Sequence, residues 1–114
     1  MAQRPVVIKI GGSTLDSNDT TLQDLVTLQR DGVKLVVVHG GGDLISQWMQ
    51  RQGTRPKFVR GLRVTDAESL EIVVAVLTGL VNKQLVAALL SMGGKTIGFS
   101  GVDGGLLQAR IANP

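Results

Sequence analysis

Cysteine and tyrosine are missing from the 114-residue sequence, and histidine occurs once. Without cysteine there can be no disulfides or thiolate metal sites, which fits a reducing, cytoplasmic setting. A single histidine leaves little scope for a metal cluster, and no residue is assigned as a metal ligand. Aromatics make up 3% of the chain, so the core must be built from Val, Leu, Ile and Ala. No basic-apolar leader precedes the first apolar run, so no signal peptide is expected. The longest uncharged apolar run, residues 72–81, is too short to span a bilayer, and no membrane partner is expected. With 43% hydrophobic and 18% charged residues, the chain fits one globular domain.

Acidic residues are also absent between Leu44 and Thr65, while Arg51, Arg55, Lys57, Arg60 and Arg63 fall within 13 positions. Such a stretch is either a solvated basic face or a local field for an anion. Phe58 is the only aromatic between Arg51 and Arg63 and no nucleic-acid-binding motif is present, so nucleic acid is not an expected partner.

Val6 to Ile10 is a short apolar run interrupted only by Lys9, and it reads as a buried strand closed by Gly11-Gly12. Residues 16–19 are polar and turn-like. Leu22, Leu25, Val26 and Leu28 then have helical spacing up to Gly32, which can cap the end. Residues 33–38 read as a second buried strand. A helix follows from Gly42, with Leu44, Ile45, Trp48 and Met49 on one face, and ends near Gly53. Residues 54–64 read as irregular, basic and exposed. Thr65-Asp66-Ala67-Glu68 has the form of a capping box, T-x-x-E, and opens a long helix over 66–92. At ~1.5 Å per residue that helix spans roughly 40 Å. A third strand is expected over 95–99 and a fourth over 106–111. Alternating apolar strands and helices predict an α/β fold, a three-layer αβα sandwich with a mostly parallel sheet.

Each of the three firm strands ends in glycine: Gly11-Gly12, Gly40-Gly41-Gly42 and Gly101. In open α/β sheets ligands bind outside the carboxyl ends of the strands, so the three turns should border one crevice. Bare N–H groups there can grip anionic oxygens, and the helix opening at Gly42 adds the positive end of its dipole. Gly94-Lys95-Thr96 resembles the end of a P-loop, but it follows a helix and opens a strand, the reverse of the required context. No G-x-G-x-x-G follows the second strand either, because its last position is Ile45. His39 lacks a legible serine or cysteine partner, and its place at a strand end suits a structural hydrogen bond.

Five segments, VVIKIGGSTL, VVVHGGGDLI, FVRGLRVTD, TGLVNKQLV and GFSGVDGGLL, together resemble the N-terminal half of the acetylglutamate kinase branch of the amino acid kinase family. K-x-G-G alone is shared widely in that superfamily. H-G-G-G followed about twenty residues later by G-L-R-V-T is far more specific. The resemblance implies phosphorylation of the side-chain carboxylate of N-acetyl-L-glutamate by ATP with Mg²⁺, in arginine biosynthesis. It implies that Lys9 stabilises charge on the phosphoryl group in flight. Gly11 and Gly12 would offer N–H groups to ATP phosphates, Gly41 and Gly42 would contact acetylglutamate, and Arg63 would hold its α-carboxylate. It also implies a homodimer through the helix over 66–92.

Family members carry a second half that supplies most of the nucleotide pocket. The chain is therefore expected to be an N-terminal acetylglutamate-binding and dimerisation domain over 1–114, inactive alone. Only five residues precede the first strand, too few for the extra helix of arginine-inhibited members, so weak arginine feedback is expected. Two readings compete with acetylglutamate kinase: a carrier-bound amino-adipate kinase of lysine biosynthesis, and a stand-alone small-anion binding module.

Overall fold

The computed structural model of the protein describes residues 4–11 and 20–112. Gly12 and the turn expected over 16–19 lie outside them. Val6–Ile10 forms β1 and Leu35–His39 forms β2, joined through helix α1, Thr21–Arg30. The two strands are parallel, in register from Val6 opposite Leu35 to Ile10 opposite His39. Successive side chains alternate between faces, so Ile8, Ile10, Val37 and His39 share one face and Val7, Lys9, Val36 and Val38 the other. The first face leads into the interior, with Ile10 buried. The second is open, with Val7 64% and Val38 47% exposed.

Helix α2, Gly42–Arg51, starts directly after β2, and α3, Ala67–Ser91, is the long helix. Ile45 and Met49 of α2 meet Ile72, Val76, Val81 and Leu85 of α3, and these six form the core. α1 packs on the last part of α3. By length and composition α3 could cross a bilayer, which the shorter run over 72–81 did not suggest. Its middle, Ala75–Val81, is π-helical. The helix ends in a Schellman arrangement: Gly93 takes φ +88°, its N–H reaches the Leu90 carbonyl, and the Gly94 N–H reaches Leu89. The ends of α1 at Gly32 and α2 at Gly53 have the same hydrogen-bond pattern.

The start of α3 differs from the expected capping box by one residue. Asp66, not Thr65, is the N-cap, and its carboxylate accepts from the Ser69 N–H at 2.7 Å. A carboxylate caps well and also meets the positive end of the helix dipole, which a threonine hydroxyl does not. The Ser69 N–H holds the Asp66 carboxyl below the usual carboxylate range, and the Ser69 hydroxyl adds to the effect.

Three further expectations change. Residues 58–63 are not irregular. Phe58–Val59 (β3) and Leu62–Arg63 (β4) form an antiparallel hairpin, with Arg60 at φ +51° and Gly61 at φ +78° in its two-residue turn. Two positive φ values match the twist that a hairpin requires. Residues 95–99 are not a strand, because their backbone groups bond to side chains. The Lys95 N–H donates to Gln29 Oε1 at 2.9 Å, Gln29 Nε2 donates back to the Lys95 carbonyl at 2.6 Å, and Lys83 Nζ donates to the Gly98 carbonyl. A cavity of about 560 Å³ is lined by this segment and by β2. Residues 106–111 are not a strand either. The Leu107 N–H turns back to the Gly101 carbonyl at 2.8 Å, and Leu107 and Ile111 are 72% and 95% exposed.

Two outcomes follow from these turns. Arg60→Asn should raise stability by about 0.5–1 kcal/mol, because asparagine tolerates the left-handed conformation that strains arginine. A urea midpoint no higher than that of the parent would contradict this. The Asp66 cap has its full effect above the unfolded carboxyl value of about 3.9 and loses it as pH falls through the lowered folded value. Asp66→Asn keeps a capping oxygen that does not titrate. The variant should therefore show a shallower loss of stability between about pH 5 and 2 in parallel unfolding curves.

Candidate functional site

The parallel register brings Gly11 and Gly40 out of the sheet side by side, since Ile10 pairs with His39. Gly41 is the N-cap of α2 and Gly42 its first residue. An ideal Cβ on Gly41 would fall 2.8 Å from Leu77 Cδ2 and 3.3 Å from Val81 Cγ2, both in the π-helical segment of α3. The approach to α3 leaves no room for a side chain at Gly41. Gly11 and Gly40 are different: a Cβ on either would meet nothing within 4 Å, and on Gly42 only an Arg63 nitrogen at 3.9 Å. Neither packing nor a left-handed φ within the described residues calls for glycine at these three places. All three stand at the carboxyl edge of the sheet, the place where open α/β folds bind their ligands.

Arg63 is carried to this edge by the hairpin. Its Nη2 donates to the Gly42 carbonyl at 2.9 Å and to Ser46 Oγ at 3.0 Å, and its Nη1 lies 3.3 Å from Met49 Sδ. The guanidinium also stacks over Phe58, its cross-strand partner, at 4.8 Å from the ring centroid. A guanidinium has five N–H donors, so two remain beyond these contacts. A cation held by its neighbours at a helix N-terminus is a preorganised receptor for a carboxylate. Arg51, which stacks on Trp48 at 5.8 Å, and exposed Arg55, Lys57 and Arg60 add positive charge nearby in sequence.

The structure therefore brings together Gly42 and Arg63, and sets Gly11 beside Gly40. Gly41 faces the long helix. Lys9 does not join Arg63: it pairs with Val38 and leaves the sheet on the open face, opposite to His39. Gly12 is outside the described residues. No group of three or more His, Cys, Asp or Glu able to hold a metal ion occurs among the described residues.

Sequence reasoning missed Ser46 and Phe58, which orient Arg63, and the Asn82-Lys83 pair. Asn82 Nδ2 lies 3.1 Å from His39 Nε2, and His39 Nδ1 lies 3.0 Å from the Gly40 carbonyl. His39 thus has the structural hydrogen bond expected of it. The available signal was the polar run Asn82-Lys83-Gln84 between the apolar residues Leu80-Val81 and Leu85-Val86.

The two glycines of the turn should respond differently to one methyl group. Gly41→Ala must displace Leu77 or Val81 and should cost about 1–3 kcal/mol. Gly42→Ala meets only ordinary contact and should leave the unfolding free energy, read from urea titration, within about 0.5 kcal/mol of the parent. Equal losses for the two would contradict the placement of the turn.

The amino acid kinase family model matches residues 4–113. A protein of Dehalococcoides mccartyi named acetylglutamate kinase is 51% identical over 106 residues, covering 93% of this chain and 39% of its own length. The chain thus spans about two-fifths of the length of such relatives. Among solved structures, smu.665 of Streptococcus mutans superimposes with a TM-score of 0.70 at 36% identity, over 76% of this chain and 36% of that one. N-acetylglutamate synthase of Neisseria gonorrhoeae, complexed with coenzyme A and N-acetyl-glutamate, gives a TM-score of 0.59 at 33% identity, over 75% of this chain and 20% of that one.

Proposed function

The chain belongs to the amino acid kinase family, and we propose that it forms the acceptor side of an enzyme that phosphorylates N-acetyl-L-glutamate in arginine biosynthesis. ATP is the donor, with Mg²⁺ accompanying its phosphates, and the reading assigns no metal ligand to this chain. A side-chain carboxylate oxygen attacks the γ-phosphorus, the bond to the β,γ-bridging oxygen breaks, and ADP leaves with that electron pair. The acceptor is already ionised at neutral pH, so no general base is required. Catalysis then rests on positioning and on neutralising charge.

The observation that carries this reading is Arg63 docked on Gly42 at the start of α2, with two donors to spare. Arg63 takes the non-reacting α-carboxylate, and the N–H groups of Gly41 and Gly42 take acceptor oxygens. Gly11 and Gly12 serve the ATP phosphates. Lys9 stabilises charge on the phosphoryl group and reaches it from the open face of the sheet. Residues 1–114 act as the acetylglutamate-binding and dimerisation domain of a cytoplasmic enzyme. The second copy docks on the outer side of α3, where Leu70 and Val74 stand half exposed one turn apart. The acetylglutamate kinase name of relatives that match over nine-tenths of this chain supports this choice of substrate.

Calorimetric titration of N-acetyl-L-glutamate into the chain tests the acceptor site. Binding is expected, and Gly42→Ala should weaken it without loss of stability. Arg63→Lys should cost ~1.5–3 kcal/mol of affinity, the scale of a charge-assisted hydrogen bond. No heat of binding with the parent chain, or an unchanged affinity in Arg63→Lys, overturns the reading. In the enzyme containing this chain, Lys9→Ala should lower kcat by roughly 10²–10³, and a kcat near the parent's would remove Lys9 from the phosphoryl group.

A further inference from the structure

The hydrogen bonds around His39 have only one consistent set of directions. Lys83 Nζ lies 3.0 Å from Asn82 Oδ1, and an ammonium can only donate. The Asn82 amide oxygen must therefore face Lys83 and its nitrogen must face His39, 3.1 Å away. That nitrogen can only donate, so His39 Nε2 is the bare, accepting nitrogen. At the other side of the ring Nδ1 lies 3.0 Å from the Gly40 carbonyl, which can only accept, so Nδ1 carries the proton. The less common tautomer of histidine is thus imposed by a lysine two links away. Asn82 is 9% exposed and is one of two buried polar side chains among the described residues. It follows directly on the π-helical segment that supports Gly41 through Leu77 and Val81.

We propose that Asn82 is a positioning residue for the glycine turn: it locks His39 in the Nδ1–H tautomer, which holds the Gly40 carbonyl and sets the N–H groups of Gly41 and Gly42. Without the amide donor, the ring is free to protonate at Nε2 and release Gly40. The peptide linking Gly40 to Gly41 then loses its anchor, because rotating the carbonyl also rotates the Gly41 N–H in the same plane. The role in substrate binding rests on the acceptor reading above, whereas the mechanical role does not.

The test uses the fact that His39 is the only histidine in the chain. A long-range ¹H–¹⁵N correlation spectrum of the ¹⁵N-labelled chain shows one imidazole. At about pH 8.5 its tautomer is read directly from the two ring-nitrogen signals. The parent should show a protonated Nδ1 and a bare Nε2. Asn82→Asp offers only acceptors, and Lys83 stays at hand to balance its charge. This variant should switch the ring to Nε2–H and shift the Gly40, Gly41 and Gly42 amide resonances. Asn82→Leu keeps the volume and should release the ring toward Nε2–H, which serves if the aspartate variant does not fold. N-acetyl-L-glutamate affinity should fall about tenfold in either variant. A parent ring protonated at Nε2, a tautomer that does not respond to the variants, or a switch that leaves the glycine amides unmoved would each overturn the proposal. A parent that binds no N-acetyl-L-glutamate would defeat the acceptor reading, while the ring and amide signals would still decide the role of Asn82.

Discussion

The approach of bare backbone at Gly41 to Leu77 and Val81 is the constraint on which the rest of the site depends. It sets the distance between the end of β2 and the middle of α3. Because that distance is short, His39 can reach Asn82 across the gap. Because α2 begins one residue later, its first turn comes within range of Arg63 on the hairpin. A π-helical segment is well suited to the α3 side of this contact. Its wider turn places Leu77 and Val81 differently from the i, i+4 pair of an α-helix, and such segments recur at functional sites. The apolar core beneath, Ile45 and Met49 against Ile72 and Val76, then keeps the two helices at a fixed separation.

Much of this was legible in the sequence because it depends on local signals. β1 and β2 follow from apolar runs closed by glycine, and the helix ends at Gly32, Gly53 and Gly93 follow from residues that tolerate the left-handed conformation. The pairing of Gly42 with Arg63 was reached through resemblance, since 21 residues separate them and no periodicity connects them. The hairpin was not legible: arginine is a poor signal for a turn that needs two positive φ values, and each of its strands is two residues long. The strand expected over 95–99 failed for a different reason. Its sequence suits a strand, but the Gln29 amide and the Lys83 ammonium take the backbone groups a ladder would use. Such competition is non-local and leaves no local pattern to read.

The electrostatics of the site show why arginine stands at position 63. Its planar fork donates to a helix carbonyl and a serine hydroxyl at once while its face stacks on Phe58. Lysine could satisfy only one or two of these contacts, and an ammonium held that way would have fewer donors left for a ligand. The acid-free stretch from Leu44 to Thr65 keeps competing carboxylates away in sequence. Asp43, in the first turn of α2, is the nearby exception, and it is exposed.

Gly40, Gly41 and Gly42 therefore have separate reasons to be glycine although they are consecutive. At Gly41 the reason lies inside the protein, where a methyl group would collide with α3. At Gly40 and Gly42 a methyl group would collide with nothing in the described structure. Glycine at these positions carries the full entropic cost of ordering it, with no packing gain to offset that cost. Under the acceptor reading, contacts with the ligand offset that cost. Gly11 stands next to Gly40 across the register, at the same end of the sheet. A ligand at this edge would meet the carboxyl ends of both strands, where open α/β sheets bind theirs.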